Sequence, residues 1–104
     1  MKAVSEESFD REVLSAVQPV LVDFWAPWCA SCKAMTPVLE RIAAARPDWG
    51  IVAVDLAESA GVAARFSVLT LPTLLVFRDG AVTERLTGLR TEQDVLALMG
   101  NPTT

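Results

Sequence analysis

The chain has no histidine and only two cysteines among its 104 residues. A structural zinc site wants four nitrogen or sulfur ligands, so no metal centre is expected. Two cysteines are also too few for the disulfide scaffold of a small secreted domain. No apolar run approaches the ~20 residues that a membrane span requires. Nine basic residues against thirteen acidic ones leave a net charge of −4. No basic patch is visible of the kind that nucleic acid or an anionic membrane would need, and the small negative charge reads as a solubility feature. The opening residues carry Glu6 and Glu7 where a signal peptide would carry an apolar stretch, so a cytoplasmic protein is expected. Asn101-Pro102-Thr103 fails as a glycosylation acceptor because its middle residue is proline. Repeats, low-complexity segments and linkers are all missing. With 52 % apolar and 21 % charged residues, the chain reads as one globular domain over residues 1–104, and a monomer is expected.

What the chain does have is concentrated in one place. Cys29 and Cys32 stand three positions apart, after Trp28 and the apolar run Val20-Leu21-Val22-Asp23-Phe24-Trp25-Ala26. Such a run suits a central strand covered on both faces. Beyond the cysteines, Met35, Val38, Leu39 and Ile42 step by three and four along one helical face, with Pro37 expected to kink that helix. A strand therefore delivers Cys-x-x-Cys to a helix start. There, free N–H groups and about half a positive charge favour thiolate over thiol. The spacing lets one sulfur reach the other, so a mixed disulfide can be resolved within the molecule.

The remaining pattern predicts a helix from Ser8 to about Val17, a strand at Ile51–Leu56 and a short helix over Ala57–Phe66. Thr73–Arg78 and Val82–Thr87 read as strands joined by a tight turn at Asp79-Gly80. Thr91-Glu92-Gln93-Asp94 resembles a capping box for a last helix that Gly100 and Pro102 stop. A short strand at Lys2–Val4 would complete the set. Crossovers through helices imply parallel pairing and the hairpin an antiparallel pair, giving an α/β fold with a central mixed sheet of four to five strands and helices on both faces.

Each candidate residue has a plainer reading. Cys29 and Cys32 could form half a metal site or a structural disulfide, but the first lacks ligands and the second would close too small a loop to add much stability. Thiol–disulfide exchange fits the strand-to-helix context better. Cys29, nearest the helix N-terminus and solvent, is expected to attack, and Cys32, one turn deeper, to resolve. Asp23 could sit on a solvated strand face. Both faces look covered, however, and a buried carboxyl without a partner is costly, which favours a proton relay for Cys32. Pro72 could mark a loop boundary and Gly88 a bulge. Trp28 is assigned to the rim of the site and Trp25 to packing nearby. Trp49 reads as an anchor for a helix-to-strand connection. Lys33 reads as a solvated helix residue that raises the local positive potential.

Taken in order, these motifs resemble the thioredoxin family from about Ser5 to Met99. Val22-Asp23-Phe24-Trp25-Ala26-Pro27-Trp28-Cys29 matches the strand leading into that family's active site, and Lys33 and Pro37 match its lysine and kinking proline. Leu71-Pro72-Thr73-Leu74-Leu75-Val76-Phe77-Arg78-Asp79-Gly80 matches its cis-proline loop, strand and hairpin, and Gly88 the glycine bordering its substrate groove. The resemblance implies a thioredoxin fold and a cis bond at Leu71–Pro72. It also implies a groove of Trp28, Thr70, Leu71, Pro72, Gly88 and Leu89 that holds an extended protein disulfide substrate. No bound cofactor is implied, and the electron donor would be a flavin-dependent thioredoxin reductase. The chain departs from the family in three respects. Ala30-Ser31 replaces the common Gly-Pro between the cysteines, which should alter how the reduced site holds its thiolate. Ala53 stands where many members place a buried lysine, leaving Asp23 more dependent on desolvation. Thr70-Leu71 is bulkier than the family's frequent glycine-containing pair. The expected function is a protein disulfide reductase. Its alternatives are an oxidant or isomerase on the same fold, and a binding module that seldom turns over.

Overall fold

The computed structural model describes residues 1–101. It contains strands β1 (Lys2–Ala3), β2 (Val20–Trp25), β3 (Gly50–Asp55), β4 (Thr73–Arg78) and β5 (Ala81–Thr87). Its α-helices are α1 (Ala30–Ala45), α2 (Ala60–Arg65) and α3 (Glu92–Met99). The strands form one sheet in the order β1-β3-β2-β4-β5, parallel from β1 through β2 and antiparallel from β2 through β5. This is the mixed α/β sheet expected from the crossovers, with five strands.

Alternation along the central strand divides the core. Val20, Val22 and Phe24 of β2 face one side, where Phe9, Val13, Val62 and Phe77 are buried with them. Leu21 faces the other, against Met35, Leu39 and Ile42 of α1 and Val95 and Met99 of α3. Because both faces are covered, every residue of β2 before Trp25 is buried, including Asp23. Phe9, Phe66 and Phe77 pack tilted or edge-on with ring centroids 5.1–5.6 Å apart, locking α2 and the N-terminal segment to β4.

Local chemistry sets several boundaries. Residue 46 precedes Pro47, and a pre-proline residue leaves the helical region, so α1 stops at Ala45. Pro37 lies inside α1 without ending it. Asp79 and Gly80 both have positive φ, at 52° and 78°, as a two-residue turn matched to strand twist requires. The capping box at Thr91 is present, with the Thr91 hydroxyl accepting from Asp94 N–H and the Asp94 carboxylate accepting from Thr91 N–H. Trp49 is buried between α1 and β3 under the Arg78 guanidinium, 5.0 Å from its ring centroid. Gly100 stops α3, while Pro102 lies outside the described residues.

Two elements differ from the sequence reading. The expected helix over Ser8–Val17 is a five-residue π-helix, Asp10–Leu14, closed by Ser15 N–H donating to Asp10 O at 3.0 Å. Phe9 and Val13 are buried, so the hydrophobic spacing does mark the inward side, but Val17 is 94 % exposed and belongs to no apolar face. The short helix expected over Ala57–Phe66 begins only at Ala60. Asp55 occupies the preceding turn, its carboxylate accepting from Ala57 N–H and its carbonyl from Glu58 and Ser59 N–H.

Candidate active site

Residues distant in sequence meet at the C-terminal end of β2, where its neighbours β3 and β4 lie on opposite sides. Ligands in open α/β sheets gather at such a crevice. The chain turns there through Ala26, whose carbonyl accepts from Cys29 N–H at 3.0 Å, and enters α1 with Cys29 as N-cap. An N-cap normally supplies a side-chain oxygen to a free helical N–H. Here the acceptor is sulfur, with Cys32 N–H donating to Cys29 Sγ at 3.2 Å. Cys29 and Cys32 form a disulfide with Cα atoms 5.3 Å apart. Cys29 is partly exposed and Cys32 is 1 % exposed, the asymmetry expected of a sulfur at the surface and one a turn deeper.

The dipeptide between them adds a further contact. Ser31 Oγ lies 3.5 Å from Cys29 Sγ, within hydrogen-bonding reach of sulfur, while Ala30 is exposed and contributes no polar group. Lys33 is exposed on the next turn. Trp28 is 69 % exposed at the rim and Trp25 is partly buried behind it, as the sequence reading assigned them.

Strand register supplies the opposite bank. Phe24 of β2 pairs with Thr73 of β4, which carries Pro72 to the end of β2 next to the disulfide loop. The Leu71–Pro72 peptide bond is cis, as the resemblance implied. Thr73 in turn pairs with Thr87 of β5, so Gly88 arrives beside Pro72, and Gly88 N–H donates to Pro72 O at 2.8 Å. Thr70 and Leu89 are exposed and Leu71 partly exposed along this bank. The sequence reading missed two residues here. Thr73 is buried and its hydroxyl donates to Thr70 O at 2.6 Å, holding the loop ahead of Pro72. Leu69, in the loop ahead of Pro72, is an apolar side chain left 91 % exposed. A hydroxyl following Pro72 and an apolar residue inside a loop were the available signals.

Gly88 has φ +84°, and nothing lies within 4 Å of where a Cβ would stand. An alanine there meets no clash, so its cost is conformational. Gly88→Ala is expected to destabilise the protein by about 1 kcal/mol, read as a lower urea midpoint at unchanged slope. A midpoint equal to that of the unsubstituted protein would contradict the backbone argument.

Asp23 occupies the α1-facing side of β2, pairing with Ala53 on β3 and Leu74 on β4. It is 2 % exposed, and among the described residues its Oδ1 has no hydrogen-bond partner. Desolvation alone pushes its carboxyl up to about 7. A carboxyl poised at that value can take up or give up a proton in the neutral range, unlike an ordinary aspartate. Among the described residues there is no cluster of three or more metal-ligating side chains.

The geometry is thus a helix-capping disulfide flanked by an exposed tryptophan, a cis-proline loop and a buried carboxyl. The thioredoxin family model matches residues 1–101. The chain belongs to the thioredoxin family. It is 45 % identical to a thioredoxin of Mycolicibacterium smegmatis over 91 residues, covering 85 % of this chain and 81 % of that one. Over 99 residues it is 40 % identical to a thioredoxin of Chlamydia trachomatis, covering 95 % of each chain. A Staphylococcus aureus thioredoxin is 38 % identical over 99 residues, covering 92 % of this chain and 91 % of its own. With its Cys-x-x-Cys disulfide, this thioredoxin-family chain is a dithiol–disulfide oxidoreductase.

Proposed function

We propose that the protein works as a general reductant of protein disulfides, using Cys29 as nucleophile and Cys32 as resolving thiol. The observation that carries this reading is the placement of the Cys29–Cys32 pair at the start of α1, with one sulfur accessible and the other buried. In the reduced protein, Cys29 thiolate is held by the helix N-terminus, by Cys32 N–H and by the Ser31 hydroxyl. It attacks one sulfur of a substrate disulfide, forming a mixed disulfide and expelling the other substrate sulfur as a thiolate. Cys32 then passes its proton to Asp23 and attacks Cys29 Sγ. The second substrate sulfur leaves as a thiolate, and the Cys29–Cys32 disulfide closes. The substrate gains two electrons and the protein loses two.

Trp28, Thr70, Leu71, Pro72, Gly88 and Leu89 would hold the extended substrate strand, with the backbone of Thr70 and Leu71 pairing to it as an added strand does. Ala30, Ser31 and Lys33 would tune the thiolate. The reading is of a single domain over residues 1–104, acting as a monomer on protein substrates in the cytoplasm. A thioredoxin reductase would return the electrons, and no resident cofactor takes part. No helix among the described residues is long and apolar enough to cross a membrane.

One observation favours a second reading. A hydrogen bond from Ser31 to Cys29 Sγ stabilises the reduced thiolate and so raises the potential, as an oxidant or isomerase would need. Equilibration with glutathione and dithiothreitol buffers, followed by Trp25 and Trp28 fluorescence, separates the two. The reductant reading expects a potential near the value typical of thioredoxins, about −270 mV, and a potential of about −200 mV or higher favours the alternative.

The assignment of roles is tested by trapping. Cys32→Ser is expected to accumulate a mixed disulfide with a disulfide-containing protein, visible as a band shift on non-reducing gels. Cys29→Ser should give none and lose reductase turnover. Trapping by Cys29→Ser instead would reverse the roles. Partner capture that survives Cys29→Ser and Cys32→Ser, with no turnover in the unsubstituted protein, would leave the binding-module reading.

A further inference from the structure

The face of the sheet that carries Asp23 also holds a trough beside it. Parallel register sets Ala3, Ala53 and Asp23 side by side across β1, β3 and β2, with their side chains on one face. Two neighbouring methyl groups leave room that longer side chains would fill. Trp25, two residues beyond Asp23, continues this face. Lys33, Thr36 and Glu40 form the other wall, spaced along α1 so that they share one side of the helix. The cavity so enclosed has a volume of about 270 Å³. That is just below the range of drug-sized pockets, and its floor includes a carboxyl that is 2 % exposed and whose buried Oδ1 has no hydrogen-bond partner among the described residues.

We propose that this trough binds a short linear primary alkylammonium ion, its ammonium donating to the edge of the Asp23 carboxylate that lines the trough and its chain lying over Ala53 and Ala3 against Trp25. The ligand class follows from what the site lacks. Among the described residues no donor bonds Asp23 Oδ1, and an ammonium group carries three donors and the opposite charge. The walls beyond it are methyls and an indole, which suit methylene groups and offer a larger polar ligand little to bind. The charged groups around Asp23 are few. α1 presents Lys33 and Glu40, and Asp55 lies two residues beyond Ala53 on β3, while β4 presents the uncharged Leu74. Lys33 is exposed and does not bond the carboxyl, so Asp23 itself, rather than the field at the mouth, selects the cation. The inference rests on the surroundings of the carboxyl and not on its part in disulfide exchange.

The test uses the oxidised full chain, in which neither cysteine titrates, with n-butylammonium chloride as probe and tetramethylammonium chloride as control. At pH 8, amide resonances of Ala3, Asp23, Thr36 and Ala53 should shift saturably with the primary amine and not with the quaternary one. A carboxyl titrating at about 7 is mostly ionised at pH 8 and mostly protonated at pH 6, so the apparent affinity should fall about tenfold between them. Asp23→Asn should abolish saturation. Ala53→Leu, which fills the trough and keeps the carboxylate, should weaken binding at least about tenfold, because the chain no longer fits. If one variant fails to fold, the other decides. Shifts that stay linear, that tetramethylammonium reproduces, or that survive the substitutions would overturn the proposal and leave only diffuse attraction to an acidic protein.

Discussion

Asp23→Asn is expected to stabilise the oxidised protein by on the order of 4 kcal/mol at pH 8 and to change it little near pH 4. Burial raises the folded-state carboxyl from an ordinary 3.8 to about 7, a shift of about three units, each worth about 1.4 kcal/mol. Asp23 is therefore protonated in the folded protein and ionised in the unfolded chain between roughly pH 4 and 7. In that window the folded state binds the extra proton, so the stability of the unsubstituted protein falls as pH rises. Above about pH 7 both states are ionised and the penalty is complete. Asparagine has the same shape and no charge, so the gap between variant and parent should open at about 1.4 kcal/mol per pH unit and then level off. Urea unfolding of both proteins at pH 4, 6 and 8 measures it directly, and other titrating groups cancel in the difference. A gap that does not change with pH would mean that Asp23 is not desolvated as its burial indicates.

The same substitution should damage the chemistry it stabilises. If Asp23 accepts the proton of Cys32, its loss should slow resolution of the mixed disulfide by about 10²-fold at pH 7, the lower range for a positioned base. The sign of the pH dependence follows from the role. Accepting a proton requires the ionised form, so the resolution rate in the parent should rise through about pH 7 and reach a plateau, and the variant should lack that inflection. Rapid-quench measurement of product release from a preformed mixed disulfide isolates this step. An unchanged rate and pH profile would remove Asp23 from the mechanism while leaving the stability argument intact. The two experiments together ask whether the protein keeps a destabilising buried charge for what it does to one proton transfer.

Much of the site could be read from local sequence, because local interactions build it. Two cysteines at helical spacing after a β-rich run already imply that one caps the helix and the other lies a turn below. The Cys32 N–H to Cys29 Sγ contact expresses that spacing. Asp79-Gly80 and Thr91 with Asp94 were legible for the same reason, since a two-residue turn and a capping box lie within four residues. The buried state of Asp23 followed from an apolar strand with no polar alternation. The first helix was misjudged because apolar spacing reports which side faces inward, not which hydrogen-bond pattern closes the turns. Phe9 and Val13 are buried in a π-helical segment as they would be in an α-helix.

Composition and spacing by themselves determined the class of chemistry: two cysteines, no histidine and a strand-to-helix junction leave dithiol exchange as the economical reading. Only the tertiary structure decided what surrounds that pair. Pro72 reaches the end of β2 through the pairing of Phe24 with Thr73, and Gly88 reaches Pro72 through the pairing of Thr73 with Thr87. The room beside Asp23 exists because Ala3 and Ala53 fall in register with it across three strands. Register between strands dozens of residues apart is set by burying whole faces at once, and no short window of sequence carries that information.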